Sequence, residues 1–152
     1  MTNNRLMVTV ATLGGVGYLP GAPGTWGSLA VLPLWWVFRP RGLAVCGLMW
    51  LALTAAGLLC AGRAAAVLGR RDHPAVVIDE AAGQLLALAA FPPGWQTALV
   101  GFALFRLLDI LKPWPLRHLE QLPGSLGVML DDLAAGALAA LGVALGLLLS
   151  PG

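Results

Sequence analysis

The sequence predicts an all-α bundle embedded in a membrane, and three observations carry that prediction. Of 152 residues, 59% are AVILMFWYC, and 20 more are glycine. Mean hydropathy is +0.83. Only 11% are Asp, Glu, Lys or Arg, against about 25% in soluble domains. So few charges cannot cover a soluble domain of this size. Soluble globular, disordered and nucleic-acid-binding classes are thereby excluded, and one domain over residues 1–152 is expected. The formal net charge of +2 is too small to imply a polyanionic partner.

The apolar runs set the elements. Residues 6–18 are apolar but short and broken by Gly14, Gly15 and Gly17. They read as a short or re-entrant segment. A Pro/Gly loop at 20–28 follows, then a helix at 26–38. Residues 43–62 carry no charge and are long enough to span, since a crossing takes about 20 residues. Residues 74–91 form another run, interrupted early by Asp79 and Glu80, and Pro92-Pro93-Gly94 reverses the chain. Residues 95–111 follow and stop at Lys112-Pro113-Trp114-Pro115, because proline disfavours helical geometry in the residue before it. A last run covers 131–149, charged only at its start. About four to five spanning helices are expected. The tryptophans at 35, 36, 50, 95 and 114 read mostly as interfacial anchors. Cys46 and Cys60 lie in an apolar run without metal-ligand spacing and read as small hydrophobes. No cleavable signal peptide is expected.

Alternating the runs across a bilayer puts Arg63, Arg70, Arg71, Lys112 and Arg117 on one face, with Arg106 nearby. Arg39 and Arg41 fall on the other. The richer face is expected to be cytoplasmic. Every acid falls on or near that same face: Asp72, Asp79, Glu80, Asp109, Glu120, Asp131 and Asp132.

Each acid has a bland explanation. Asp131 and Asp132 would open a helix, where acids are favoured. Asp109 has Arg106 and Lys112 three residues to either side. Together the acids point elsewhere. A carboxylate within apolar sequence costs about 2.5–3.5 kcal/mol at a helix centre, so intramembrane acids are functional candidates. Asp79, Glu80, Asp109, Asp131 and Asp132, from three helices, suit a hard cation such as Mg²⁺, alone or as a pair. Calcium fits the same ligand type. Arg106 and Lys112 add positive charge. The 20–28 loop adds backbone N–H groups and the hydroxyls of Thr25 and Ser28 before a helix, a place where phosphate binds. Its sequence lacks the Gly-Lys-Ser/Thr ending of a P-loop. The natural ligand is then an amphiphile with a phosphate head, and the chemistry is metal-assisted phosphoryl transfer. Covalent phosphatase signatures are absent: neither cysteine has an Arg six residues on, and no DxDxT or SGH element occurs. His73 is a candidate phosphate or leaving-group donor, or a loop cap. Gln84 is placed to orient Glu80 or to make an interhelical hydrogen bond. Gly83 and Gly136 suit close helix approach, and Gly142-x3-Gly146 is a candidate helix-pairing face, within the chain or between copies in a homo-oligomer.

Four segments then stand out in order: PGAPGTWGS at 20–28, VVIDEAAG at 76–83, FRLLDILKPWPL at 105–116 and GVMLDDLAAG at 127–136. They resemble the phosphatidylglycerophosphatase A family over most of the chain. The resemblance implies a Mg²⁺-dependent, multi-pass enzyme of the bacterial inner membrane with its site facing the cytoplasm. It implies hydrolysis of phosphatidylglycerol phosphate to phosphatidylglycerol and inorganic phosphate, within phosphatidylglycerol and cardiolipin synthesis. It maps catalysis and metal binding to Asp79, Glu80, Asp109, Asp131 and Asp132. Pro23, Gly24, Thr25, Arg106 and Lys112 fall in its other motifs. The alternatives are a small ion-coupled transporter, which would hold its carboxylates nearer the midplane, and a non-catalytic lipid-binding subunit.

Overall fold

The computed structural model describes residues 2–70 and 73–149. Asp72 and Arg71 lie outside the described residues. Seven α-helices form among those described: α1 (Thr2–Ala11), α2 (Pro23–Phe38), α3 (Leu43–Val67), α4 (Ile78–Leu88), α5 (Trp95–Leu111), α6 (Leu116–Leu119) and α7 (Ser125–Leu149).

The helix α4 is the hub. It packs against α7, α2, α3 and α5. Of its 11 residues, nine are buried, including Ala81, Ala82 and Gly83, whose small side chains admit neighbours on several sides. Apolar burial all round marks a helix enclosed by protein. The 74–91 run is therefore helical only at its centre. Residues 74–77 stay irregular, and the Val77 N–H donates to the Ala11 carbonyl. Irregular backbone is tolerated at membrane depth when protein buries it like this.

α3 and α7 have 25 residues each and are long and apolar enough to cross a membrane. Only 11% of the apolar stretch of α3, and 28% of that of α7, is buried. A soluble core helix would bury most of it. Here leucines such as Leu48, Leu59, Leu141 and Leu148 point outward, an apolar surface that water would not tolerate. α2 has 16 residues, just under the spanning range of about 17–25 residues, and α5 has 17, its lower limit.

Three boundaries differ from the sequence expectation. α7 begins at Ser125 rather than at 131, so Asp131 and Asp132 sit in its second turn. The macrodipole acts within the first turn and so does not account for them. α2 begins at Pro23, because proline is pre-set for the first helical position, and the PGT element is its first turn. For the short segment expected at 6–18, the helix instead runs over Thr2–Ala11. α1 lies against α3 and ends at Ala11, and Leu13, Gly14 and Gly15 all take positive φ. The chain turns back there. Among the tryptophans, Trp35 is fully buried against α4 and neighbours, so it is a core residue and not an interfacial anchor.

Candidate active site

One cavity of about 680 Å³ gathers the sequence-predicted acids. The first turn of α4 supplies Asp79 and Glu80. The second turn of α7 supplies Asp131 and Asp132, both buried. The end of α5 supplies Arg106 and Asp109, and its cap supplies Lys112. Pro23 and Gly24 of α2 close one side.

Close packing makes this convergence feasible. A Cβ on Gly24 would overlap Glu80 Oε1 and sit 3.1 Å from Arg106 Nη1. Only glycine lets the start of α2 approach the charged groups so closely.

The cations choose among the acids. Arg106 Nη1 lies 2.5 Å from Asp109 Oδ2. Lys112 takes a left-handed conformation, φ 40°, at the end of α5. Its ammonium turns away from Asp109 and donates to Asp131 Oδ2 at 2.6 Å, with Glu120 Oε1 at 3.4 Å. Burial alone would lower the lysine's pKa. The Asp131 hydrogen bond and the charges of Asp131, Asp132 and Glu120 outweigh it and hold the pKa above its ordinary value. Lys112 is therefore an ammonium at any physiological pH.

Asp79, Glu80 and Asp132 form no ion pair with any cation among the described residues. One oxygen from each lies within 4.8 Å of the others. Asp79 Oδ1 and Glu80 Oε2 are buried without a hydrogen-bond partner. Six carboxylates line the cavity against two cations. Buried carboxyl groups in this state are either neutralised by a proton or paired with a cation, and these three could hold a metal ion. Oxygens on one octahedral Mg²⁺ lie about 3–4 Å apart, so the triplet fits a single ion with small adjustment. Asp131 Oδ1 is also buried and unpartnered.

Thr25 and Ser28 do not reach the cavity wall. The Ser28 hydroxyl donates to the Gly24 carbonyl at 2.9 Å and is buried within α2. A Ser28→Ala protein should keep its rate of phosphate release within about twofold, with only a small stability loss of about 1 kcal/mol; phosphate assay and thermal unfolding check both. Neither histidine lines the cavity, and His73 Nδ1 accepts the Ala75 N–H as a loop cap. Gln84 is fully buried one turn below Glu80, with no hydrogen bond to it. Glu120 is the residue that sequence reasoning passed over. It sat in an interfacial stretch, and only the turn after α5 folds it back to Lys112.

The chain matches the phosphatidylglycerophosphatase A family over residues 9–147. The chain belongs to that family. A relative from Escherichia coli (strain K12), named phosphatidylglycerophosphatase A, is 36% identical over 128 residues, covering 83% of this chain and 74% of the relative. One of the same name from Haemophilus influenzae is 41% identical over 128 residues, covering 80% and 76%. A third, from Bacteroides thetaiotaomicron, is 35% identical over 140 residues, covering 86% and 87%. It is provisionally named a phosphatidylinositol-3-phosphatase. All three family relatives are named for removing phosphate from a phospholipid headgroup. No solved structure matches the chain.

Proposed function

We propose that the protein is a Mg²⁺-dependent phosphatase that converts phosphatidylglycerol phosphate to phosphatidylglycerol and inorganic phosphate. It works at the cytoplasmic face of a bacterial inner membrane and serves phosphatidylglycerol and cardiolipin synthesis. The observation that carries this reading is the uncompensated triplet Asp79, Glu80 and Asp132 beside Arg106 and Lys112, in a chain of this family.

The topology supports it. In this reading α2, α3, α4, α5 and α7 would carry the chain between two faces, α3 and α7 being long and apolar enough to cross and α4 being enclosed by its neighbours. Arg39 donates to the Ala90 carbonyl at the face away from the cavity. The cavity face carries Lys112 and Arg106 and is followed by Arg117, while Arg63 and Arg70 end α3 nearby. That bias supports a cytoplasmic placing of this face.

Asp79, Glu80 and Asp132 hold the metal, with Asp109 and Asp131 beside them. Bound Mg²⁺ supplies Lewis-acid charge to the phosphoryl oxygens and makes water a better nucleophile. The chain's own groups do the rest. Arg106 presents a planar fork to phosphoryl oxygens, and Lys112 adds a compact positive charge. The N–H group of Gly24, in the first turn of α2, adds a neutral donor. A carboxylate of the cluster accepts the proton of the attacking water. The water oxygen bonds to phosphorus as the P–O bond to glycerol breaks, and that carboxyl group returns the proton to the leaving glycerol oxygen, giving phosphatidylglycerol and inorganic phosphate.

Phosphate release by the purified protein from micellar phosphatidylglycerol phosphate tests this. A chelator should reduce release to background and Mg²⁺ should restore it. Full release in chelator, or none in Mg²⁺, overturns the reading. Lys112→Met should raise KM about tenfold or more, since a hydrogen bond to a charged group is worth about 1.5–3 kcal/mol; initial rates over a substrate series measure it.

A further inference from the structure

The phosphate cavity accounts for a headgroup and leaves the lipid's acyl chains without a place. An apolar groove lies on the outer surface between α2 and α5, lined by residues of those two helices alone. Its walls are Leu29, Leu32 and Trp36 of α2 and Trp95, Leu99 and Phe102 of α5, and antiparallel spacing from Gly24 and Arg106 places Leu29 and Phe102 at the end nearer the cavity. At the cavity Gly24 lies against Arg106. Leu29 is five residues below Gly24 on α2, about 7.5 Å, and Phe102 is four residues below Arg106 on α5, about 6 Å. The groove thus begins one helical turn or so from the phosphate-binding end and continues the same seam.

We infer that this α2–α5 groove is the seat of a substrate acyl chain, and that it aligns the lipid so that its phosphate enters between Gly24 and Arg106. The inference rests on the phosphatase reading of the cavity. Length favours a substrate chain as the occupant. From Gly24 to Trp36 along α2 is about 18 Å, close to the thickness of one leaflet, about 15 Å. A chain whose headgroup is held at the cavity would lie along the groove and end near Trp36 and Trp95. The walls have almost no polar groups, as a hydrocarbon occupant requires. A ligand whose remote part is bound in this way uses that binding to orient its reacting end.

Two measurements test it. Phosphatidylglycerol phosphate carrying a photoreactive diazirine at mid-chain should label peptides of residues 29–36 and 95–102 in preference to the lipid-facing surfaces of α3 and α7. Unlabelled phosphatidylglycerol phosphate should suppress that labelling, and phosphatidylcholine should not. The second measurement uses Ala98→Trp, which fills the groove beside Leu99. The ratio of kcat/KM for a dipalmitoyl substrate to that for a dibutyryl substrate should fall at least tenfold. Labelling spread evenly over all outer surfaces means bulk lipid covers the groove and overturns the inference. So does suppression by phosphatidylcholine, and so does an unchanged chain-length ratio. If Ala98→Trp shifts the protein from monomer to a different oligomer while the ratio holds, the groove is a contact between copies, and the inference is overturned. Failure of the phosphatase reading looks different: neither substrate releases phosphate even with the parent protein.

Discussion

An Asp132→Asn protein is expected to release phosphate at least about 10³-fold more slowly than the parent, with its fold intact. The reason lies in the charge pattern. Asp132 is buried and belongs to the triplet that pairs with no cation among the described residues. Asparagine keeps the shape and removes the charge that holds a metal. Losing several kcal/mol of metal-assisted stabilisation corresponds to about three powers of ten. Stability should move the other way. Six carboxylates share the cavity with two cations, so removing one acid relieves repulsion, and the thermal midpoint without metal should hold or rise. A metal bound only by the folded state raises that midpoint. Mg²⁺ should therefore stabilise the parent and leave the variant unmoved. Phosphate assays and thermal unfolding with and without Mg²⁺ decide it. Activity within tenfold of the parent would remove Asp132 from the metal site.

The second large effect is expected from one methyl group placed between α4 and α7. Gly83 and Gly136 face each other across that contact. A Cβ on Gly136 would overlap the Gly83 carbonyl, and a Cβ on Gly83 would lie 2.5 Å from the Asp132 carbonyl oxygen and 2.6 Å from the Phe105 ring. Backbone cannot move aside as a side-chain tip does, so the helices must separate. Gly136→Ala should cost about 1–3 kcal/mol as overpacking. It should also cost about 10² in rate, because α4 carries Asp79 and Glu80 while α7 carries Asp131 and Asp132. Gly146 is the control. Nothing lies within 4 Å of a Cβ placed there, and alanine is the better helix former by about 1 kcal/mol. Gly146→Ala should leave activity intact and hold or raise the thermal midpoint. Equal behaviour of the two variants would show that the α4–α7 contact does not set the site.

The four motifs that carry the family resemblance all border the cavity or its packing, because chemistry at a lipid interface fixes residue types locally. Ser28 shows the limit of that legibility. A hydroxyl ahead of a helix reads as a phosphate donor in sequence, yet it returns to the Gly24 carbonyl, because α2 has already begun at Pro23. Glu120 shows the opposite limit, since no periodicity links it to Lys112.

Apolar composition, the length of the crossing runs and the gathering of acids at one face follow from the sequence by itself, because hydrocarbon excludes charge at each position separately. Which acid keeps a counter-charge does not. Asp109 has a cation three residues away on either side, and helical spacing alone makes them equivalent. The left-handed cap at Lys112 breaks the tie by sending its ammonium to Asp131 on another helix. Arg106 is left to Asp109, and Asp79, Glu80 and Asp132 pair with no cation among the described residues. Pairing depends on distances between helices, and only tertiary packing sets those.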